Sequence, residues 1–520
     1  MNQSSPAQLP TDQAAGRQTV RAEYLLAGVA ICAYVVVVLR TAWLCDDAYI
    51  TFRTVDNLLH GYGLRWNVAE RVQTFTHPLW LLVLAGGALV LPNLYFAAIL
   101  LNVLASVAAV LWYAGRLAGT GMSAAVGVTI LLLSKAFTDY STSGLENALT
   151  HLLLVALLAT YYRQRPANPA WGLLLLSLLM LNRLDLVLLA GPPVAWMLWQ
   201  RRSSVRWWQC ALAVAPLVGW EVFAVIYYGS PVPNVAYAKL NTSLPAAALI
   251  ARGARYLLAT VEQDPLTAAM LGAGLCSVWA WGRRRDYAPV VGIVLYLLYV
   301  VRIGGDFMAG RFLTAPLLVS VIVATQPRWP RHIAVAVWLL VVAVGVLPQR
   351  SPLRSGSDYG INLIKFSPGG ICDERAFYYQ HVGLLKVLTG RSIPDHEYVF
   401  DGLEARRTGK QLDTSYAIGM YGYYAGPGLH IVDLLGLGDP LLARLPPEIS
   451  DHWRIGHLAR RLPPGYLETL RAGRNRISDP RAARLWELIR QATREPLWST
   501  ARWRAILRLN LARLDQGPGR

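Results

Sequence analysis

The feature that most limits what this chain can become is the alternation of long apolar runs with short clusters of arginine. Runs of 14 to 23 residues, such as 24–44 and 208–228, are separated by basic patches at 163–165, 201–206, 283–285 and 328–331. A helix needs about 20 apolar residues to cross a bilayer, and arginines left between crossings gather on the cytoplasmic side. A polytopic membrane protein follows, and a soluble enzyme is excluded. Mean hydropathy of +0.35 and 18 Trp support it. The formal charge of +18 is then topological and makes no case for a nucleic-acid partner.

Spans are expected near 24–44, 95–115, 120–135, 146–162, 170–182, 184–199, 208–228, 266–282, 287–302, 312–326 and 331–347, about eleven in all. The polar residues 1–22 read as an unstructured cytoplasmic tail, and no small-residue cleavage site follows the first apolar run. The run 78–91 is ambiguous. Treated as a helix lying in the outer interface, it leaves all four basic clusters inside. Segments 45–94, 138–147, 182–185, 229–265, 303–311 and everything after 347 then face outward. The expected organisation is a tail (1–22), a transmembrane catalytic unit (23–347) and an extracytoplasmic α+β unit (348–520).

The outward segments hold the unusual polar residues. The stretch CDDAYITFRTVDNLLHGYGLRWNVAERVQTFTH, Cys45 to His77, carries Asp46, Asp47, Arg53, Glu70, Arg71 and His77. A charge placed near lipid costs roughly 3 kcal/mol on insertion scales, so a paired carboxylate there is expected to serve an ion, a proton or a substrate. Two other segments admit a structural reading beside the functional one. In STSGLE, Ser143 and Glu146 suit a capping box. In NRLD, Arg183 and Asp185 suit a self-neutralising ion pair. The loop YYGSPVPNVAYAK brings Lys239, a point charge suited to phosphate. IGGDFMAGR is a Gly-rich turn with Asp306 and Arg311 at its mouth. Cys45 and Cys372 are the cysteines placed to meet in an oxidising compartment.

After residue 347 the apolar runs shorten. Residues 398–401, 430–439 and 480–507 read as strands mixed with helices, 430–439 as a short buried strand followed by a Gly-punctuated loop; Asp433, Asp439 and His457 admit two readings, a projection toward the membrane face and, favoured, the surface of a folded cap. Residues 486–514 read as one basic amphipathic helix, resting on headgroups or on the cap itself.

The layout resembles the GT-C glycosyltransferases, which draw sugar from a polyprenyl-phosphate carrier. Within them DDAYITFRTVDNLLHGYGLRWN, ERVQTFTHPLW, STSGLE, YYGSPVPNVAYAKL and GGDFMAGRF look like the terminal β-(1→2)-arabinofuranosyltransferases of actinobacterial cell walls. The similarity covers most of 40–320 and thins after 350. It implies transfer of a sugar, D-arabinofuranose by the match, from a polyprenyl-phosphate donor to a glycan or glycoprotein acceptor on the outer side of the cytoplasmic (inner) membrane. Asp46 and Asp47 are then the base or nucleophile. Lys239, Arg311 and Arg183 face the phosphate, while Arg53, His77, Glu146 and Asp306 complete the substrate site. A divalent cation between carboxylates and phosphate is compatible, though no ligand spacing demands one. A lipid-sugar flippase or transporter is the alternative from another class, but it favours internal repeats, and no repeat is found.

Overall fold

The computed structural model describes residues 11–163, 168–203, 205–363, 370–390, 393–449 and 453–511. Each of the eleven expected spans is a helix. They are Thr11–Arg40, Leu94–Arg116, Gly121–Leu133, Asn147–Tyr161, Pro169–Asn182, Leu186–Gln200, Trp207–Tyr228, Pro265–Trp281, Tyr287–Arg302, Thr314–Thr325 and Arg331–Val346. Among the described residues three are both long and apolar enough to cross a membrane by themselves: Val20–Arg40, Leu94–Arg116 and Trp207–Tyr228. Trp207–Tyr228 presents Trp207, Leu212, Val218 and Val222 outward and buries few of its side chains. A helix apolar all round with little protein contact requires an apolar solvent.

Three stretches depart from the sequence reading. Residues 11–22 are not an unstructured tail, because the first helix begins at Thr11; residues 1–10 lie outside the described part. Residues 398–401 are not a strand but belong to the helix Glu397–Arg407. The basic stretch 486–514 is also broken: Pro480–Arg494 and Thr500–Leu511 are separate helices, divided around Pro496, and 512–514 lie outside the described residues. Both pack on protein through Trp486, Ile489, Ala505 and Ile506. Arg502 donates to the Ile226 and Tyr227 carbonyls at 2.7 and 3.1 Å, tying the second helix to the end of Trp207–Tyr228. The run 78–91 contains an 11-residue helix, Pro78–Ala88. At 1.5 Å per residue it spans about 16 Å, too short for a crossing.

The C-terminal part contains a two-stranded parallel sheet. Leu412–Ser415 pairs with His430–Asp433 in the register Leu412 to His430, and the helix Met420–Ala425 makes the crossover. This part shares a hydrophobic core with the segment 43–95: Tyr359, Tyr379 and Met420 pack in one cluster with Trp43, Tyr49 and Tyr95. A second tie is the buried ionic network of Lys135, Asp139, Asp373 and Arg375. Lys135 Nζ lies 3.1 Å from Asp373 Oδ1, and Tyr359 donates to Asp373 at 2.7 Å. A buried charge needs a partner, so this network pins the chain after residue 370 to the segment near 135.

Candidate active site

Asp46 and Asp47 open the helix Asp46–Leu59, where a helix N-terminus favours carboxylates. Their environments differ. Asp46 is anchored: its oxygens accept the backbone N–H of Met420 at 2.7 Å and of Gly419 at 3.0 Å. A side chain at Gly419 would come within 1.9 Å of the Asp46 carbonyl, so only glycine allows this approach. Burial pushes the Asp46 carboxyl up to about 6 against the lowering pull of the Met420 amide. Asp47 makes no hydrogen bond among the described residues and faces a cavity of about 200 Å³.

That cavity lies between the helix Asp46–Leu59 and the C-terminal part. Lys239, Glu374, Arg454 and His457 line it with Asp47, and Phe307, Tyr398 and Tyr416 supply aromatic wall. His457 stands edge-on to Phe307 at 4.2 Å between centroids. Burial holds its imidazole below the usual range, opposed by Asp47 and reinforced by Arg454 and Lys239. An acid and two cations thus surround one half-buried ring.

Each wall residue is placed by local structure. Lys239 lies in the last turn of the helix Asn234–Leu240. That helix is held at its end by Arg460, whose Nη2 donates to the Ala238 carbonyl at 2.6 Å and to Asn241 at 3.1 Å. At its start Asn234 donates to Gly436 at 2.9 Å. Glu374 begins the helix Glu374–Val382. The segment before it is stitched to the Gly-rich turn by Cys372 N–H to the Phe307 carbonyl (2.6 Å) and Ala309 N–H to the Cys372 carbonyl (2.9 Å). Burial, then Asp47 and Asp46, push the Glu374 carboxyl well above the ordinary carboxylate range. Burial and the two like charges thus favour its protonated form, which can donate a hydrogen bond. Nothing in the local sequence ERAFYY marks it, because only the long-range stitch brings it to Asp47.

Beside the cavity, the other expected residues form a second, closed cluster. Glu146 does not complete a capping box, since its helix begins without a side-chain cap. Instead its carboxylate accepts from Arg311 at 3.2 Å and lies 3.8 Å from Arg183 and 3.5 Å from His77 Nδ1. Arg183 pairs with Asp185 at 2.6 Å, and Arg311 stands 3.9 Å from Asp306. His77 Nε2 is hydrogen-bonded to Thr51 at 2.8 Å, and burial keeps the ring below its usual range. All of these side chains except Asp185 are buried to nine-tenths or more. Arg311 and Arg183 spend their charge on Glu146 and Asp185 and do not line the cavity, contrary to the expectation of phosphate ligands.

Arg53 also departs from expectation. Its guanidinium lies over Trp66 at 4.4 Å and donates to the Leu429 carbonyl at 2.6 Å, away from the cavity. It belongs to a clasp with Asn67, which exchanges hydrogen bonds with Ile431 (3.0 and 3.1 Å), and Glu70, which pairs with Arg494 at 3.1 Å. Asp433 and Asp439 are not surface carboxylates. Asp433 accepts from Leu435 and Gly438 amides at 2.9 and 2.7 Å, and Asp439 from Leu441, Leu442 and the Tyr466 hydroxyl. Cys45 and Cys372 are both buried free thiols, so the disulfide is not formed. No group of three or more His, Cys, Asp or Glu suited to a metal ion comes together among the described residues.

The resemblance seen in the motifs extends along most of the chain. It is 28% identical over 80% of its length, and 80% of the relative's, to a terminal β-(1→2)-arabinofuranosyltransferase of Mycobacterium tuberculosis. It is 27% identical over 86% of its length, and 80% of the relative's, to a terminal β-(1→2)-arabinofuranosyltransferase of Corynebacterium glutamicum. No protein-family model matches. Among solved structures, ArnT from Cupriavidus metallidurans bound to undecaprenyl phosphate aligns with a TM-score of 0.47 at 13% identity, covering 81% of this chain and 76% of that one. By its curated relatives the chain is a glycosyltransferase.

Proposed function

We propose that the chain is a GT-C-type membrane enzyme that moves D-arabinofuranose from a polyprenyl-phosphate donor to a glycan acceptor on the outer side of the cytoplasmic membrane. The observation that carries this reading is the cavity itself: one carboxylate that makes no hydrogen bond among the described residues, Asp47, lines it together with two cations, Lys239 and Arg454, and the charges of all three act on His457. That is the charge arrangement glycosyl transfer from a phosphate requires. Asp47 takes the proton of the acceptor hydroxyl as its oxygen bonds to the anomeric carbon. The bond from that carbon to the phosphate oxygen breaks, and polyprenyl phosphate leaves with its negative charge held by Lys239 and Arg454.

In its protonated form, which burial and the neighbouring carboxylates favour, Glu374 donates to a sugar or phosphate oxygen without adding negative charge where an anion must bind. Asp46 positions rather than reacts. It fixes the Gly419–Met420 turn, and with it the wall holding Tyr416 and Ile418. The Glu146, Arg311, Arg183 and His77 cluster lies behind Asp47 as a fixed field; Arg311 and His77 both sense the Asp47 charge. The relatives are transferases, so the flippase alternative has no support among them.

The test is transfer by the purified full chain from synthetic polyprenyl-phosphate arabinofuranose to a glycan acceptor, scored against the same carrier bearing hexoses. Product formed with the arabinofuranose donor and lost in Asp47→Asn supports the reading. Absence of transfer from every such donor overturns it.

A further inference from the structure

A second cleft, of about 380 Å³, opens beside the cavity on the helix Glu397–Arg407 and the strand Leu412–Ser415. It shares Tyr398 and Ala417 with the cavity, so one wall separates and joins them. Tyr398 senses the charge of Asp46 on one side and of Asp401 on the other. Tyr416, 61% exposed, stands at the shared rim. The volume falls within the roughly 300–1,000 Å³ of ligand clefts.

The lining decides the ligand class. Asp401, Glu404 and Asp413 offer carboxylate oxygens, Glu404 held by Arg407 at 2.6 Å and Asp413 by Lys410 at 2.7 Å, Lys410 adds an N–H donor, and the aliphatic side chains lining the cleft are those of Ala405 and Ala417. A polyprenyl tail has no apolar surface to lie on there. A chain of hydroxyls has both acceptors for its O–H groups and, in Tyr398 and Tyr421, flat aromatic faces for its C–H faces, with Tyr416 beyond them on the cavity side. We infer that this cleft holds the acceptor glycan, its sugar units running over Asp401, Glu404 and Asp413 and past Tyr416, so that the terminal unit enters the cavity at Asp47. The inference rests on the proposed transfer reaction for its direction but on the cleft alone for binding.

The experiment titrates arabinofuranosyl mono- and tetrasaccharides into the donor-free protein by calorimetry, with wild type, Asp401→Ala, Glu404→Ala and Tyr416→Ala. The expected result is tetrasaccharide binding weakened at least fivefold in each variant and monosaccharide binding changed less than twofold in the first two. Equal effects on both lengths, or full tetrasaccharide affinity in folded Asp401→Ala and Glu404→Ala, overturn the inference. Tetrasaccharide binding that depends on these residues, in a protein that transfers no sugar, refutes the proposed reaction and leaves the cleft standing.

Discussion

The carboxylate of Asp46 accepts the backbone N–H of Met420 at 2.7 Å, across more than 370 residues of sequence. Its neighbour Asp47 makes no such bond among the described residues, and this division of labour gives the first prediction. Asp47→Asn removes the base and is expected to lower transfer by ~100-fold or more with unchanged thermal unfolding. Asp46→Asn can accept only one of the two amides and is expected to cost about 1–2 kcal/mol of stability, with a partial loss of rate. Melting curves and initial rates in detergent separate the two. Loss of rate without loss of stability in Asp46→Asn would reverse the assignment.

Donor binding gives the second. Lys239→Met and Arg454→Met each remove a charge-assisted contact worth about 1.5–3 kcal/mol, so the apparent donor KM is expected to rise roughly 10- to 150-fold. Acceptor KM serves as the control. Donor KM unchanged in both variants would move the phosphate elsewhere.

Arg311 carries the third, and here stability rather than kinetics is the readout. Removing one partner of a buried ion pair costs about 3–5 kcal/mol because the other charge stays behind. Arg311→Met is therefore expected to melt well below wild type, and the double variant Glu146→Gln, Arg311→Met to recover part of the loss. A normal melting point with a raised donor KM would return Arg311 to the substrate.

The fourth concerns pH. Burial raises the Asp439 carboxyl from 3.8 to about 7, and that of Asp433 to about 6, as it does that of Asp46. The folded state then binds more protons than the unfolded state between those values, so stability falls as pH rises from about 4 to about 7. The contribution is fully present below the unfolded value and gone above the folded one. Asp439→Asn keeps the shape and cannot titrate, so its melting temperature is expected to fall less over this window. An identical slope in wild type and variant would remove Asp439 as a source.

Topology gives the last. Ser203→Cys and Arg284→Cys, in basic loops, are expected to be shielded from an impermeant thiol reagent in intact cells, whereas Glu404→Cys reacts. Labelling at 203 would invert the orientation.

What the sequence by itself determined is whatever follows from local composition and period. Apolar runs between arginine patches specified a helix at each of the eleven expected places, three of them, among the described residues, long and apolar enough to cross a membrane by themselves, because backbone polar groups in lipid must be satisfied within the same segment. The Asp46–Asp47 pair, Lys239 and the ionic residues Glu146, Arg183, Asp306 and Arg311 stood out because charge beside lipid is costly. What only the tertiary structure decided is how those charges are shared. Glu146 and Arg311, 165 residues apart, neutralise one another. Arg53 turns to Trp66, and Glu374 and Arg454 arrive at Asp47 from segments with no distinguishing motif. Coulomb energy depends on separation in space and on burial, and neither can be read from position along the chain. That residues 398–401 are helical, within Glu397–Arg407, is likewise decided by the tertiary structure, because four residues, YVFD, are too few to show a period.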